Sequence, residues 1–133
     1  MISAHNVPRV ALGTIRVVNG AAAMVAPKML MNRLGVDAAN NPAAVYGLRM
    51  FGIRTVLIGL DLLGADEGVR ARAVRMAPLI HGADTASAVV AGVRGDLPRR
   101  AALLATAISG ANVVLALLAW RAQRAESRWA APD

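Results

Sequence analysis

Apolar residues along this chain gather into four long segments, which are separated by short stretches carrying proline, glycine or clustered charge. The clearest segment, Ala101 to Trp120, has twenty residues and no charge. A helix of about 20 apolar residues crosses the roughly 30 Å hydrocarbon core of a bilayer. The other segments, of similar length, are Pro8 to Ala26, Ala43 to Leu63 and Val74 to Val93. The pattern predicts an all-α, four-transmembrane-helix bundle.

The composition supports a membrane protein. Of the 133 residues, 56% are hydrophobic and only 17% are charged, which is more apolar than usual for a soluble domain. A soluble four-helix bundle is the alternative, but the fourth segment offers no charged face to water. No repeat or low-complexity linker divides the chain, so we expect a single integral membrane domain over residues 1–133.

The formal charge of +7 comes mainly from basic residues that flank the apolar segments. Aromatic residues make up only 3% of the chain, so the stacking surface of a nucleic-acid binder is lacking, and we expect no nucleic-acid partner. Seven basic residues fall on the side of both termini and five on the other. The positive-inside rule then predicts cytoplasmic termini in a bacterial inner membrane.

Several charges lie inside the predicted spans. Arg54 and Asp61, seven residues apart, share one face of the second helix, and His81 and Asp84 share one face of the third. Charges in a membrane almost always point to the bundle interior or a wet cavity. The sequence therefore predicts an interior network of Arg16, Arg54, Asp61, His81 and Asp84. We expect Arg54 to pair with Asp84, and Asp61 to pair with Arg16.

A second strip on the second helix consists of Gly52, Thr55 and Gly59. Small residues let helices approach closely in membranes, so we expect this strip to contact a further subunit, with packing inside the bundle as the alternative. Arg49 lies about 120–140° around the helix from Arg54 and Asp61, and cannot share their stripe. We expect it to reach the headgroups, bind a lipid phosphate or meet a group on another protein.

Catalytic and metal-binding patterns are missing from the sequence. It contains no cysteine, two distant histidines and no phosphate-binding glycine loop. We therefore expect no enzyme activity, no cofactor and no metal. His81 and Asp84 within a membrane are nevertheless residue types that proton relays use, which keeps a homo-oligomeric carrier open as an alternative.

The stretches "YGLRMFGIRTVLIGLDLL" and "APLIHGADTASAVVAG" resemble a family of small bacterial four-helix membrane proteins. The shared pattern falls on Arg49, Gly52, Arg54, Gly59 and Asp84. Fourteen arginines against one lysine, with twenty-nine alanines, give the chain an actinobacterial character. The chain is also similar in size and character to small accessory subunits of mycobacterial lipid importers of the mammalian-cell-entry type.

This second resemblance implies a non-enzymatic accessory subunit of a larger bacterial inner-membrane complex that moves lipids. Its partners would be membrane lipids and other integral membrane subunits, such as the permease of a lipid transporter. The alternative is a homo-oligomeric proton-coupled carrier or lipid-binding module that uses His81, Asp84 and Arg54. Either reading must account for one excess positive charge when Arg16, Arg49 and Arg54 are counted against Asp61 and Asp84.

Overall fold

The computed structural model describes residues 4–129, with the side chain of Trp129 excepted. All regular structure in this range is helical, which confirms the predicted all-α class. A 3₁₀ turn over Ala4–Asn6 precedes five α-helices. These are α1 (Val7–Val25), α2 (Pro27–Arg33), α3 (Pro42–Leu63), α4 (Glu67–Arg94) and α5 (Arg99–Trp129).

The helix boundaries follow from local chemistry. A proline lies in the first turn of α1, α2 and α3, where its missing N–H costs no hydrogen bond. Asp66 begins α4 by accepting a hydrogen bond from the Val69 N–H at 2.8 Å. Gly35 and Gly95 follow the ends of α2 and α4 with φ of 80° and 76°, a conformation that favours glycine.

Two prolines act differently along the chain. Between α1 and α2, at Pro27, the helix axis turns by 102°. Pro78 lies inside α4, and the helix continues through it from Glu67 to Arg94. Helix α4 therefore begins eleven residues before this proline. The short helix α2 was not predicted separately.

The four long helices form a ring in chain order. The closest packing joins α1 to α3 and α4 to α5, and lesser contacts of α1 with α5 and of α3 with α4 complete the ring. Helices α1 and α4 therefore lie diagonally across from each other. Because α4 and α5 are joined by only four residues, they run antiparallel.

Two reciprocal glycine pairs bring α1 and α3 together. A Cβ atom added to Gly52 would lie 2.6 Å from the Gly20 carbonyl oxygen, and one added to Gly20 would lie 2.7 Å from the Gly52 oxygen. Gly13 and Gly59 make the same kind of contact, with 2.8 Å from a Cβ on Gly59 to the Gly13 oxygen. Larger residues would push the two backbones apart.

The core between the helices is small and built mainly of alanine and leucine. The main buried cluster draws on all four long helices and consists of Leu12, Leu62, Val74, Ala77, Ala116 and Ala119. A second cluster of Met31, Ala38 and Val45 holds α2 and the following loop against the start of α3. Many large apolar side chains remain exposed, including Val18, Leu79 and Val93.

Within the described residues, α3 and α5 are long and apolar enough to cross a membrane. A third span is available if the bent pair of α1 and α2 forms one crossing. Helix α4 does not join this group, and it carries six charged residues, namely Glu67, Arg70, Arg72, Arg75, Asp84 and Arg94. The result is consistent with a membrane protein of two or three spans. Four spans were predicted, and fewer than four helices are long and apolar enough to be spans.

Candidate functional site: a buried polar layer and two charged surfaces

A charged side chain crosses the centre of the helix ring. Arg16 is 4% exposed, and its Nη1 lies 3.3 Å from Asp84 Oδ2 and 3.3 Å from His81 Nδ1. Arg16 belongs to α1, and its two partners belong to α4. These helices are diagonal in the ring and their backbones are not in close contact. The long side chain of Arg16 spans the distance between them. Asp84 is the partly open member, with 29% of its side chain exposed.

The contact with Arg16 sets the hydrogen-bonding roles of His81. A guanidinium has only donors, so Nδ1 of His81 accepts, and the proton of the neutral ring belongs on Nε2. His81 is fully buried, and its Nε2 has no hydrogen-bond partner among residues 4–129. The Thr85 hydroxyl donates to the His81 carbonyl oxygen at 2.8 Å, so this hydrogen bond goes to the backbone and not to the imidazole ring.

Each remaining long helix adds a buried polar residue. Thr55 of α3 is 1% exposed and Asn112 of α5 is 4% exposed. An added Cβ on Gly92 would lie 2.8 Å from the Ala102 Cβ, which fixes the register of α4 and α5. His81 lies eleven residues before Gly92 and Asn112 ten after Ala102, so antiparallel packing brings them to nearly the same level.

This polar layer is incompletely satisfied. The side-chain atoms Arg16 Nε, Thr55 Oγ1 and His81 Nε2 are buried and make no hydrogen bond to any part of the chain that the structure describes. A buried polar atom without a partner carries a penalty of about 1–3 kcal/mol. The layer therefore holds two unpartnered N–H donors and a hydroxyl at the centre of a small helical protein.

The predicted ion pairs were wrong. Within residues 4–129, Arg16 pairs with Asp84 rather than with Asp61, and neither Arg54 nor Asp61 takes part in an ion pair. Arg54 and Asp61 are exposed on the outer surface of α3, contrary to the predicted interior position. Helical periodicity correctly placed both on one face, but that face points away from the centre.

The small-residue strip of α3 is also placed differently from the prediction. Gly52, Thr55 and Gly59 are buried, and both glycines pack against α1. The prediction that this strip is free for a further subunit was therefore wrong. Close backbone approach favours glycine against glycine, so α1 occupies the strip, and α3 is rotated with its charges outward.

Arg49 is exposed near the start of α3. This position leaves all three predicted roles open, namely reaching headgroups, binding a lipid phosphate or contacting another protein. Together with Arg54 and Asp61, Arg49 gives the exposed surface of α3 three charged residues. We call Arg54 and Asp61, which share one stripe, the outer charged stripe.

A second charged surface lies where α1 and α4 begin and α5 ends. Arg9, Arg70, Arg75 and Arg124 line a cleft of about 770 Å³ there, together with Glu67 and Glu126 among others. From the sequence alone, these arginines indicate only the topology of the chain. A sequence signal was available in Trp120 and Arg124, which are spaced four residues apart as helical neighbours are.

The described residues hold no group of three or more His, Asp or Glu side chains that could bind a metal. Comparison with known protein families, with curated proteins and with solved structures finds no match to this chain. The resemblance to four-helix membrane proteins and importer subunits therefore stays a prediction. The polar layer and the two charged surfaces are the features of the molecule that bear on its function.

Proposed function

We propose that this chain is a non-enzymatic accessory subunit of a larger bacterial inner-membrane complex. The outer charged stripe of α3 is the observation that carries the proposal. Arg54 and Asp61 are exposed on a helix that is long and apolar enough to cross a membrane. Within the described residues neither has a hydrogen-bond or ion-pair partner.

The surroundings of this stripe favour an intramembrane contact. Exposed apolar side chains flank Arg54 along α3, including Phe51, Ile53 and Leu57. A charged residue at the centre of a membrane helix costs about 2.5–3.5 kcal/mol on insertion scales. A neighbouring helix with a complementary charge would offset that cost, which supports an interface on this face.

The charge order along the stripe also constrains the partner. In a dimer with its two-fold axis along the membrane normal, the Arg54 residues of two copies would lie at the same depth and repel each other. A different helix fits better, with a carboxylate level with Arg54 and a basic group level with Asp61. About 10 Å of helix rise separates these two levels.

Lipid transport is the activity that we propose for the complex. This step depends on the resemblance to importer subunits and on the size and actinobacterial character of the chain. The chain would stabilise or regulate the permease from one side, with the chain termini in the cytoplasm. The corrected interface consists of Arg54 and Asp61, with Arg49 as an additional contact, rather than the buried glycines.

The second candidate is a homo-oligomeric proton-coupled carrier or lipid-binding module. The diagonal cluster of Arg16, His81 and Asp84 favours it, because a buried imidazole beside a partly open carboxylate is a plausible relay unit. A carrier requires water to reach this cluster. The oligomeric state and the partners separate the two candidates.

The test is affinity purification of the tagged full chain from its native membrane in mild detergent, followed by mass spectrometry and native sizing. The wild type is compared with Arg54→Gln, Asp61→Asn and the charge exchange Arg54→Asp/Asp61→Arg. Arg100→Gln is the matched control, because Arg100 is an exposed arginine at the start of α5, away from the stripe.

We expect the wild type and Arg100→Gln to recover a membrane subunit in stoichiometric amount, and the stripe variants to lose about 90% of it. Recovery of this chain alone, as a homo-oligomer, would overturn the accessory role and favour the second candidate. Equal recovery with every variant would show that the stripe is not the interface.

A further inference from the structure

The cleft at the end of the bundle is built by three separate parts of the chain. The first turn of α1, the first three turns of α4 and the last three turns of α5 enclose about 770 Å³. This volume lies within the range of about 300–1,000 Å³ that is typical of ligand sites. The cleft is lined by four arginines and two glutamates, which gives it a formal charge of +2 before His5 is considered.

Two of the four arginines are engaged with the backbone. Arg9 donates to the Leu62 carbonyl oxygen and to the Asn6 side chain, and Arg70 donates to the carbonyls of Gly64 and Ala65 at 3.1 Å each. These carbonyls lie at or just beyond the C-terminal end of α3. A positive charge there satisfies otherwise unpaired acceptors and complements the helix dipole.

The other two arginines have no anionic partner within the described residues. Arg75 makes neither a hydrogen bond nor an ion pair there, and Arg124 stacks its guanidinium 4.2 Å from the centre of the Trp120 ring. Stacking holds the guanidinium plane in place and leaves its N–H groups free. A planar fork of donors matches a phosphate group.

The depth of the cleft indicates the source of the anion. Trp120 ends the uncharged segment that begins at Ala101, and tryptophan at such a position marks the membrane interface. The cleft thus lies where lipid headgroups lie, beside helices with exposed apolar sides. A soluble anion has no such reason to bind at this depth.

We propose that this cleft binds the phosphate of an anionic phospholipid, with Arg75 and Arg124 as the phosphate ligands and Trp120 as the wall. Glu67 and Glu126 accept hydrogen bonds from headgroup hydroxyls, so a glycerol headgroup fits better than one that carries further negative charge. The site does not depend on any partner of the outer charged stripe. It would operate in either of the two proposed functions.

The test uses fluorescence of Trp120 in the full chain. In a Trp129→Phe background Trp120 is the single tryptophan. The protein is placed in mild detergent and titrated with brominated phosphatidylglycerol or brominated phosphatidylcholine, whose bromines quench a nearby indole. We expect saturable quenching by phosphatidylglycerol at a concentration at least about tenfold lower than for phosphatidylcholine.

Arg75 gives the decisive variant, because it carries a free guanidinium and does not stack on the fluorophore. Arg75→Gln should raise the half-saturating concentration of phosphatidylglycerol about tenfold, as expected for one charged hydrogen-bond donor. Arg75→Lys should give a smaller shift. Arg99→Gln, at the opposite end of α5, should leave the titration unchanged.

Three results would overturn the proposal. One is equal quenching by both lipids. Another is a titration that Arg75→Gln leaves unchanged. The third is complete displacement of phosphatidylglycerol by millimolar inorganic phosphate, because it would assign the cleft to a soluble anion instead of a headgroup. Far-ultraviolet circular dichroism of each variant separates loss of the ligand from loss of the fold.

Discussion

Arg16 and Asp84 lie 68 residues apart in the chain and on diagonal helices, yet Nη1 of Arg16 and Oδ2 of Asp84 are 3.3 Å apart. Their burial is unequal. The guanidinium side chain is 5% exposed, whereas the carboxylate side chain is 29% exposed. Because of this difference in burial, removal of Arg16 and removal of Asp84 should change the free energy of unfolding by different amounts.

Asp84→Asn should destabilise the protein more than Arg16→Met. Loss of the carboxylate leaves a buried guanidinium uncompensated, which is expected to lower the free energy of unfolding by roughly 3–5 kcal/mol. Loss of Arg16 leaves a carboxylate that is only partly buried, so its effect should be smaller. Unfolding by dodecyl sulfate in mixed micelles measures both, and a larger effect of Arg16→Met would contradict the assignment.

The contact between α1 and α3 should be intolerant of a single methyl group. Gly52→Ala would place a Cβ 2.6 Å from the Gly20 oxygen, and we expect it to lower the free energy of unfolding by about 1–3 kcal/mol. Gly110→Ala is the matched control, because its Cβ would meet no atom within 4 Å. That control should gain about 0.5–1 kcal/mol from better helix formation. Equal responses in the same micelle assay would argue against the close approach.

Removal of the Thr55 hydroxyl should stabilise the protein. The Thr55 Oγ1 atom is buried without a hydrogen bond to the described residues, and valine has nearly the same shape. Thr55→Val is therefore expected to raise the free energy of unfolding by about 1 kcal/mol, because an unsatisfied group is removed. A loss of stability in thermal unfolding would mean that the hydroxyl has a partner in solution.

The loop between α2 and α3 should respond to acid. Hydrogen bonds from the Asn40 side chain and from the Ala39 and Asn40 N–H groups lower the pKa of Asp37 below its ordinary value. A lowered pKa in the folded state means that the stabilisation is present above the unfolded pKa of about 3.9. It is lost as the pH falls through the folded pKa.

Carboxyl-carbon NMR of Asp37 in micelles checks this directly, since its midpoint should lie below 3.9. Exchange of the Ala39 amide proton should accelerate as the carboxylate protonates. In Asp37→Asn this acceleration should disappear. A midpoint at or above the ordinary value would show that the hydrogen bonds do not persist in solution.

The helix boundaries were the part of the fold that periodicity predicted best. The segments 8–26 and 43–63 correspond closely to α1 and α3, because both helices have a proline in the first turn and end where apolar spacing stops. Helix α4 was predicted too short. Its first two turns are charged, and they remain helical through the Asp66 cap, which an apolar pattern does not detect.

Which helices touch was harder to predict than where they run. Helix α3 has two faces that avoid lipid, one small and one charged, and periodicity cannot rank them. Close backbone packing requires the glycine face of α3 to meet a second glycine face, and α1 supplies one at Gly13 and Gly20. This packing determines which charged residues pair. Arg16 is long enough to reach Asp84 across the ring, whereas Arg54 lies on the face of α3 that points away from it.

The glycine pairs of α1 and α3 repeat at the same interval of seven residues, and this has a consequence for sliding. A slip of one interval, about 10 Å along the axis, would bring Gly13 level with Gly52 but leave Gly20 facing Val45. A slip the other way would pair Gly20 with Gly59 and carry Gly52 past the end of α1. Each displaced alignment keeps only one of the two glycine contacts. The native register is therefore the one alignment of α1 and α3 that forms both.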